Sequence, residues 1–325
     1  MQKVLIIANP TAGAGAGRVN KQRLVDIAQR DIAHGRDTRE LLVDVAFKTT
    51  REAVVETASK ARGVYDIVVA AGGDGTVNAV VNGLMNDTAN DSANVNSTEI
   101  EYSKSPILGV LPIGTGNVFA HNLGIGRGLR EACRTIRQEH TKTIDVGLAR
   151  DLTTDETRHF LLMAGIGFDA KVVEDTSLRL KYVLRDFAYV VKILQNGVSH
   201  QGTKLNLQFR EGFEYSNNSW LVMVGNAASY AWDIRFTRQA RLDDGLVDVC
   251  LFPYENKVNS VRQVLEVLTG RHIERGNVQY WKTAGVILRS DKPVPVQLDG
   301  DEWTRTPIEI TVLPAALRVL SPQEN

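Results

Sequence analysis

The sequence predicts an N-terminal α/β domain built on a doubly wound parallel sheet, followed by a C-terminal antiparallel β domain. Three observations predict this. Strand-like apolar runs alternate with helix-compatible stretches up to about residue 140, and beyond it short strand-like runs follow one another across turns. At 325 residues the chain also has material for two cores. The boundary is expected near 140 to 145.

Val4 to Ala8 reads as the first strand. It runs into the small-residue loop Asn9-Pro10-Thr11-Ala12-Gly13-Ala14-Gly15-Ala16-Gly17-Arg18, with a helix expected from about Val19 to Ala33. The GxGxG spacing, with Pro10 at the strand exit and Asp26 inside the following helix, is a poor dinucleotide fingerprint. No Gly-Lys-Ser/Thr closes the loop, so it is not a Walker A loop either. Asn9 and the N–H groups after it suit a place beside a nucleotide and an ordinary loop equally well. Leu41 to Phe47 is the second strand, Thr49-Thr50 its polar exit and helix cap, and Arg51 to Arg62 the next helix.

The run Tyr65 to Val69 has the β-branched character of a strand buried on both faces. Directly after it comes Gly72-Gly73-Asp74-Gly75-Thr76-Val77-Asn78. Glycines here are expected to adopt backbone angles closed to other residues and to bring N–H groups close to a phosphate. Thr76 is expected to cap a helix over Val77 to Met85, whose dipole would favour the same anion. Asp74 is out of place in a phosphate nest unless a cation or a transferable proton lies between, which points to magnesium or catalysis. The same residues also suit a plain β-turn-α connection.

Asn86 to Ser105 is rich in Asn, Asp, Ser and Thr and reads as a surface insertion. Ile107 to Leu111 then forms a strand. The second glycine turn, Pro112-Ile113-Gly114-Thr115-Gly116-Asn117, leads into a helix from Val118, and another helix covers Leu129 to Gln138. In parallel α/β sheets ligands bind at the carboxyl ends of strands, where all these turns lie.

The second half offers strand-like runs at Thr143 to Ala149, His159 to Ala164, Lys204 to Arg210, Trp220 to Gly225, Val247 to Phe252, Gly285 to Arg289 and Val294 to Leu298. Leu178 to Leu194 interrupts them as a basic amphipathic helix, suited to packing on the sheet or to touching an anionic bilayer. Leu242 to Asp248 and Gln297 to Trp303 are acidic turns, each of which in isolation reads as a hairpin. Together with the phosphate-binding turns they suit magnesium and a general base facing a nucleotide across a cleft.

Composition removes other classes. The 38 basic and 38 acidic residues cancel, leaving no general electrostatic case for nucleic acid. Cys133 and Cys250 make neither a disulfide framework nor a Cys/His metal site. No stretch approaches ~18 uninterrupted apolar residues, and the start lacks a signal-peptide pattern, so a cytoplasmic protein is expected.

Taken in order, Asn9-Pro10, Gly72 to Asn78, Pro112 to Asn117, Ile166-Gly167-Phe168-Asp169-Ala170, Asp243 to Asp248 and Leu298 to Asp301 resemble the diacylglycerol kinase catalytic family. That family includes sphingosine kinases and bacterial soluble lipid kinases. The resemblance implies an ATP-binding α/β domain over 1–142, rejoined by a C-terminal segment 314–325, and a β-sandwich-like lipid domain over 143–313. It implies ATP contacts from Asn9, Thr49, Gly72, Gly73, Asp74, Gly75, Thr76, Val77, Asn78, Gly114 and Thr115. A structural magnesium is implied on Asp244, with main-chain oxygens of Arg241 and Leu246. Asp301 stands where the family has a glutamate proton acceptor, Asp299 is the preceding acid, and Asp74 completes the catalytic carboxylates.

The implied reaction is ATP- and magnesium-dependent phosphorylation of a hydroxyl of diacylglycerol or a related lipid, with transient contact at a membrane surface. A homodimer is left open. An NAD-kinase-like enzyme and a catalytically idle lipid- or nucleotide-binding protein are the alternatives. The chain departs from the family pattern at Val118, where Asp is usual, at Ala79 and Asp301, where many members carry Glu, and at Tyr230 to Asp233, where many have glycines.

Overall fold

A computed structural model describes residues 2–12, 21–33, 41–85, 105–126, 128–167, 202–229 and 234–323. All but Ser105 of the expected insertion Asn86 to Ser105, the amphipathic helix at 178–194, the loop from 13 on, Phe168 to Ala170 and Tyr230 to Asp233 lie outside the described residues. The chain divides into two compact units, residues 1–146 with 315–325, and residues 147–314.

In the first unit the strands are β1 (Gln2–Ala8), β2 (Leu41–Phe47), β3 (Ile67–Gly72) and β4 (Ile107–Pro112), ordered β4-β3-β1-β2 and all parallel. The end of a long final strand, β15 (Ile308–Leu320), adds to the β4 edge, with Val319 parallel to Leu108. The three central strands are nearly continuous apolar runs because both faces are covered. Ile67, Val68 and Val69 are fully buried, and each such side chain contributes roughly 1.5–3 kcal/mol.

The connecting helices follow the sequence closely. Helix α1 (Lys21–Asp26) continues as a π-helical segment, Ile27–Ala33. Helix α2 (Arg51–Ala61) is capped by Thr50, whose hydroxyl accepts from the Ala53 N–H. Helix α3 is Asp74–Met85, α4 Val118–Asn122 and α5 Leu129–Gln138. One expectation is corrected here: α3 begins at Asp74, so Thr76 is a buried first-turn residue and not the cap.

The second unit is antiparallel. Its strands are β5 (Thr141–Asp151, shared with the first unit), β6 (Thr157–Phe160), β7 (Met163–Ile166), β8 (Thr203–Phe209), β9 (Glu214–Gly225), β10 (Val247–Pro253), β11 (Gln279–Thr283), β12 (Gly285–Ser290), β13 (Pro295–Leu298) and β14 (Asp301–Arg305). Two-residue alternation gives β9 and β10 two apolar faces each. Val222, Val224, Val249 and Leu251 join one core, while Leu221, Met223, Cys250 and Phe252 join another. That second core is closed by a helix the sequence reading did not place, α6 (Lys257–Leu268), through Val264 and Val267. Asn256 caps it, accepting from the Asn259 N–H.

Candidate active site

In the first unit the two glycine turns meet. Asn9 donates its N–H to the Ala71 carbonyl, while Ile113 and Gly114 donate theirs to the Gly72 carbonyl. A Cβ on Gly114 would lie 2.2 Å from the Gly73 Cα, and one on Gly72 would lie 2.2 Å from the Thr76 hydroxyl oxygen. Glycine is required at both places by close approach. Left-handed backbone is not the reason, since none of Gly72, Gly73, Gly75, Gly114 and Gly116 has a positive φ. The expectation of special backbone angles is therefore corrected. Gly75 alone has open space where a side chain would begin.

Asp74 ties the turns together. Its Oδ1 accepts from the Phe119 N–H at 2.9 Å, capping α4, and its Oδ2 has no partner among the described residues. A Cβ on Gly116 would stand 3.1 Å from that Oδ2. Asn117, at φ 53°, accepts from the Gly114 N–H and donates to the Gly114 carbonyl, holding the second turn rigid. Asn78 faces inward, accepting from Arg51 at 2.7 Å and from Asn82 at 3.0 Å. In the first turn of α3 the N–H groups of Thr76 and Val77 donate to the Gly73 carbonyl, which leaves those of Asp74 and Gly75 without an acceptor among the described residues, at the open space beside Gly75. Thr49 is exposed at the end of β2, and Asn9 bonds Thr11 through its side chain.

In the second unit the turn between β13 and β14 has positive φ at Asp299 (51°) and Gly300 (94°), the geometry of a tight hairpin. Asp299 is anchored there. Its Oδ2 accepts from the Leu161 N–H, and its Oδ1 from the N–H groups of Leu162 and Met163, all at 2.8–3.0 Å. This carboxylate fills a backbone nest and breaks the strand expected over His159 to Ala164 into β6 and β7. Asp301, next to it, is half-exposed and accepts from Arg158 at 2.9 Å. The residues 161–163 that hold Asp299 were not legible as site residues.

Asp244 lies apart from that turn in contact terms. Its Oδ1 accepts from the Leu246 N–H at 3.2 Å, and its Oδ2 accepts from the Lys282 ammonium at 2.9 Å. The same ammonium donates to the Gln239 carbonyl and lies 3.7 Å from Asp248 Oδ2. Burial draws the lysine down, but the Asp244 and Asp248 carboxylates outweigh it and hold its pKa above the ordinary value. Burial raises the Asp248 carboxyl to about 6, despite the Tyr280 hydroxyl at 2.6 Å. A cation thus already sits on the Asp244 carboxylate, and the set of Arg241, Asp244 and Leu246 does not fit a divalent metal as placed. Asp74 Oδ2, free at the glycine turn, does fit one beside a phosphate.

A parallel α/β unit with two abutting glycine turns and an aspartate at a helix N-terminus, followed in the chain by an antiparallel unit with an acidic hairpin, defines a kinase-type nucleotide fold. Residues 3–149 match the diacylglycerol kinase catalytic domain, and residues 163–321 match the YegS C-terminal NAD kinase β-sandwich-like domain. The chain belongs to the diacylglycerol kinase catalytic family, a family of lipid kinases.

It is 27% identical over 326 residues to a diacylglycerol kinase of Bacillus subtilis, covering 100% of this chain and 98% of that one. It is 27% identical to a probable lipid kinase YegS-like of Chromohalobacter salexigens, covering 79% and 76%. Among solved structures, a diacylglycerol kinase from Bacillus anthracis superposes with a TM-score of 0.68 at 22% identity, over 99% of this chain and 97% of that one. An NAD kinase from Archaeoglobus fulgidus in complex with ATP reaches a TM-score of 0.51 at 11% identity, over 98% and 94%, a likeness of fold alone.

Proposed function

We propose that the protein transfers the γ-phosphoryl group of ATP, with magnesium, to a hydroxyl of diacylglycerol or a related lipid. The observation that carries this reading is the stitched pair of glycine turns, with α3's N-terminus open at Gly75 and one oxygen of Asp74 unengaged. That arrangement supplies N–H donors for phosphate and a carboxylate for a cation. Magnesium held at Asp74 would neutralise charge on the phosphates.

In the reaction the bond between the γ-phosphorus and the β–γ bridging oxygen breaks as a bond to the lipid oxygen forms. ADP leaves, and the hydroxyl proton passes to a carboxylate. Asp301 is the acceptor we assign, oriented by Arg158, while Asp299 positions the turn through its three N–H bonds. Asn9, Thr49 and Thr115 are assigned to the nucleotide. Among the described residues no helix is long and apolar enough to cross a membrane, so the lipid would be met by transient contact with a membrane surface.

The test is transfer of labelled γ-phosphate to a panel of diacylglycerols, sphingoid bases, phosphatidylglycerol, undecaprenol and NAD. Label in one lipid, lost in Asp74→Asn, supports the proposal. Label in NAD alone, or ATP bound with no acceptor labelled, contradicts it.

A further inference from the structure

Helix α6 buries one side against the β-sheet of the second unit and leaves an apolar stripe on the other. Val258, Leu265 and Leu268 are 79%, 52% and 39% exposed, although the residue types belong in a core. At about 100° per residue they fall within one narrow sector, with half-buried Val261 between them. The buried sector opposite is Ser260, Gln263, Val264, Glu266 and Val267. Lone exposed aliphatics are ordinary, but three on one stripe of a twelve-residue helix are not.

The flanks of that stripe are basic. Lys257 borders it on one side and Arg262 on the other, with Arg271 just past the helix end. Lys257 and Arg271 make no side-chain hydrogen bond or ion pair among the described residues. Arg262 and Arg275 both rest on Glu266, which is 4% exposed and also takes two bonds from Asn277, so two guanidinium groups share one buried carboxylate. Lys257, Arg262, Arg271 and Arg275 against Glu266, with Arg238 facing Glu274, leave the patch net positive on a chain whose charges cancel only as a whole.

We infer that this face of α6 is the protein's docking surface for an anionic lipid bilayer. The apolar stripe enters the headgroup–acyl boundary, while the lysine and arginine stems reach outward to lipid phosphates. A second copy of the chain fits less well, because pairing two such stripes would bring Lys257, Arg262 and Arg271 of each copy against their own kind. The inference gives the proposed lipid kinase its route to substrate and rests on that reading for its purpose, while its test is independent of turnover.

Co-sedimentation without nucleotide, using vesicles of equimolar phosphatidylglycerol and phosphatidylcholine or of phosphatidylcholine alone, measures the docking. Binding is expected to the anionic vesicles and to weaken with salt. The triple variant Val258→Gln, Leu265→Gln, Leu268→Gln changes only exposed helix positions and should keep the native melting temperature. It should partition at least about tenfold more weakly. Lys257→Glu with Arg271→Glu should lose about tenfold on anionic vesicles and nothing on neutral ones.

Turnover of a short-chain, water-soluble diacylglycerol should be the same in all three proteins, and its absence in all three would count against the kinase reading alone. Undiminished vesicle binding by the triple variant overturns the docking surface. So does absence of binding by the native chain, or a native dimer that the triple variant disperses.

Discussion

Asp74 and Asp299 both sit in glycine turns at strand ends, and both accept hydrogen bonds from backbone N–H groups. They differ in what remains. Asp74 gives one oxygen to Phe119 and keeps the other, while Asp299 gives both oxygens to three N–H groups. A carboxylate with a free oxygen beside open backbone donors can meet a cation and a phosphate; one whose oxygens are filled can only hold a turn. The contrast separates chemistry from architecture in residues that look alike in sequence.

The sharpest way to break this contrast is to remove both side chains. Asp299→Ala leaves three N–H groups without their acceptor and should cost about 3 kcal/mol or more in denaturant unfolding of the second unit. Asp74→Ala removes one helix-capping bond and should cost about 1 kcal/mol. Equal losses would mean that the two carboxylates play the same part.

A second test concerns acid sensitivity. Burial alone depresses His159 to about 4. The stability its neutral form contributes is complete above pH 6.5 and is lost as pH falls through about 4. Asp248 works in the opposite sense: raised to about 6, its contribution is complete below pH 3.8 and lost as pH rises through about 6. Each amounts to roughly 3 kcal/mol and they offset one another. Asp248→Asn should therefore steepen the loss of stability between these limits on acidification, followed by urea unfolding across pH. An unchanged slope would show that Asp248 does not titrate there.

The fold was legible because its signals are local. Apolar runs marked β1, β2 and β3, Thr50 marked the start of α2, and a succession of short strand-like runs marked most of the second unit. Helix α6 went unplaced because its valines favour strands over helices, so the Asn256 cap and the spacing of Val261, Val264 and Val267 are what announce it. The glycine turns were legible as a site, but their physical reason was not. Close approach of Gly73 to Gly114, and of Gly72 to Thr76, depends on partners distant in sequence or folded back on the turn. Likewise the family pattern marked Asp244, while the occupant of its oxygen, Lys282, lies on β11, 38 residues away.

That lysine gives a third, smaller test. Lys282→Met removes the cation from Asp244 and Asp248 and should cost about 2 kcal/mol. Magnesium should raise the melting temperature of the variant more than that of the native chain. Equal responses would mean that the ammonium does not stand in a cation's place.

The smallest expected effect is at Gly75. With open space and an ordinary backbone, Gly75→Ala should leave stability within about 1 kcal/mol or raise it. It should weaken ATP binding measured by calorimetry, because the methyl group intrudes where phosphate would lie. Undiminished binding would move the phosphate elsewhere.

The most direct measurement compares Asp74→Asn with Asp299→Asn in phosphoryl transfer and in denaturant unfolding, side by side. Asp74→Asn should lower kcat about 10²-fold or more with little change in stability. Asp299→Asn should lower stability and, at a temperature where it remains folded, keep most of the turnover. The reverse pattern, or full turnover in Asp74→Asn, would contradict the assignment of chemistry to the one turn and architecture to the other.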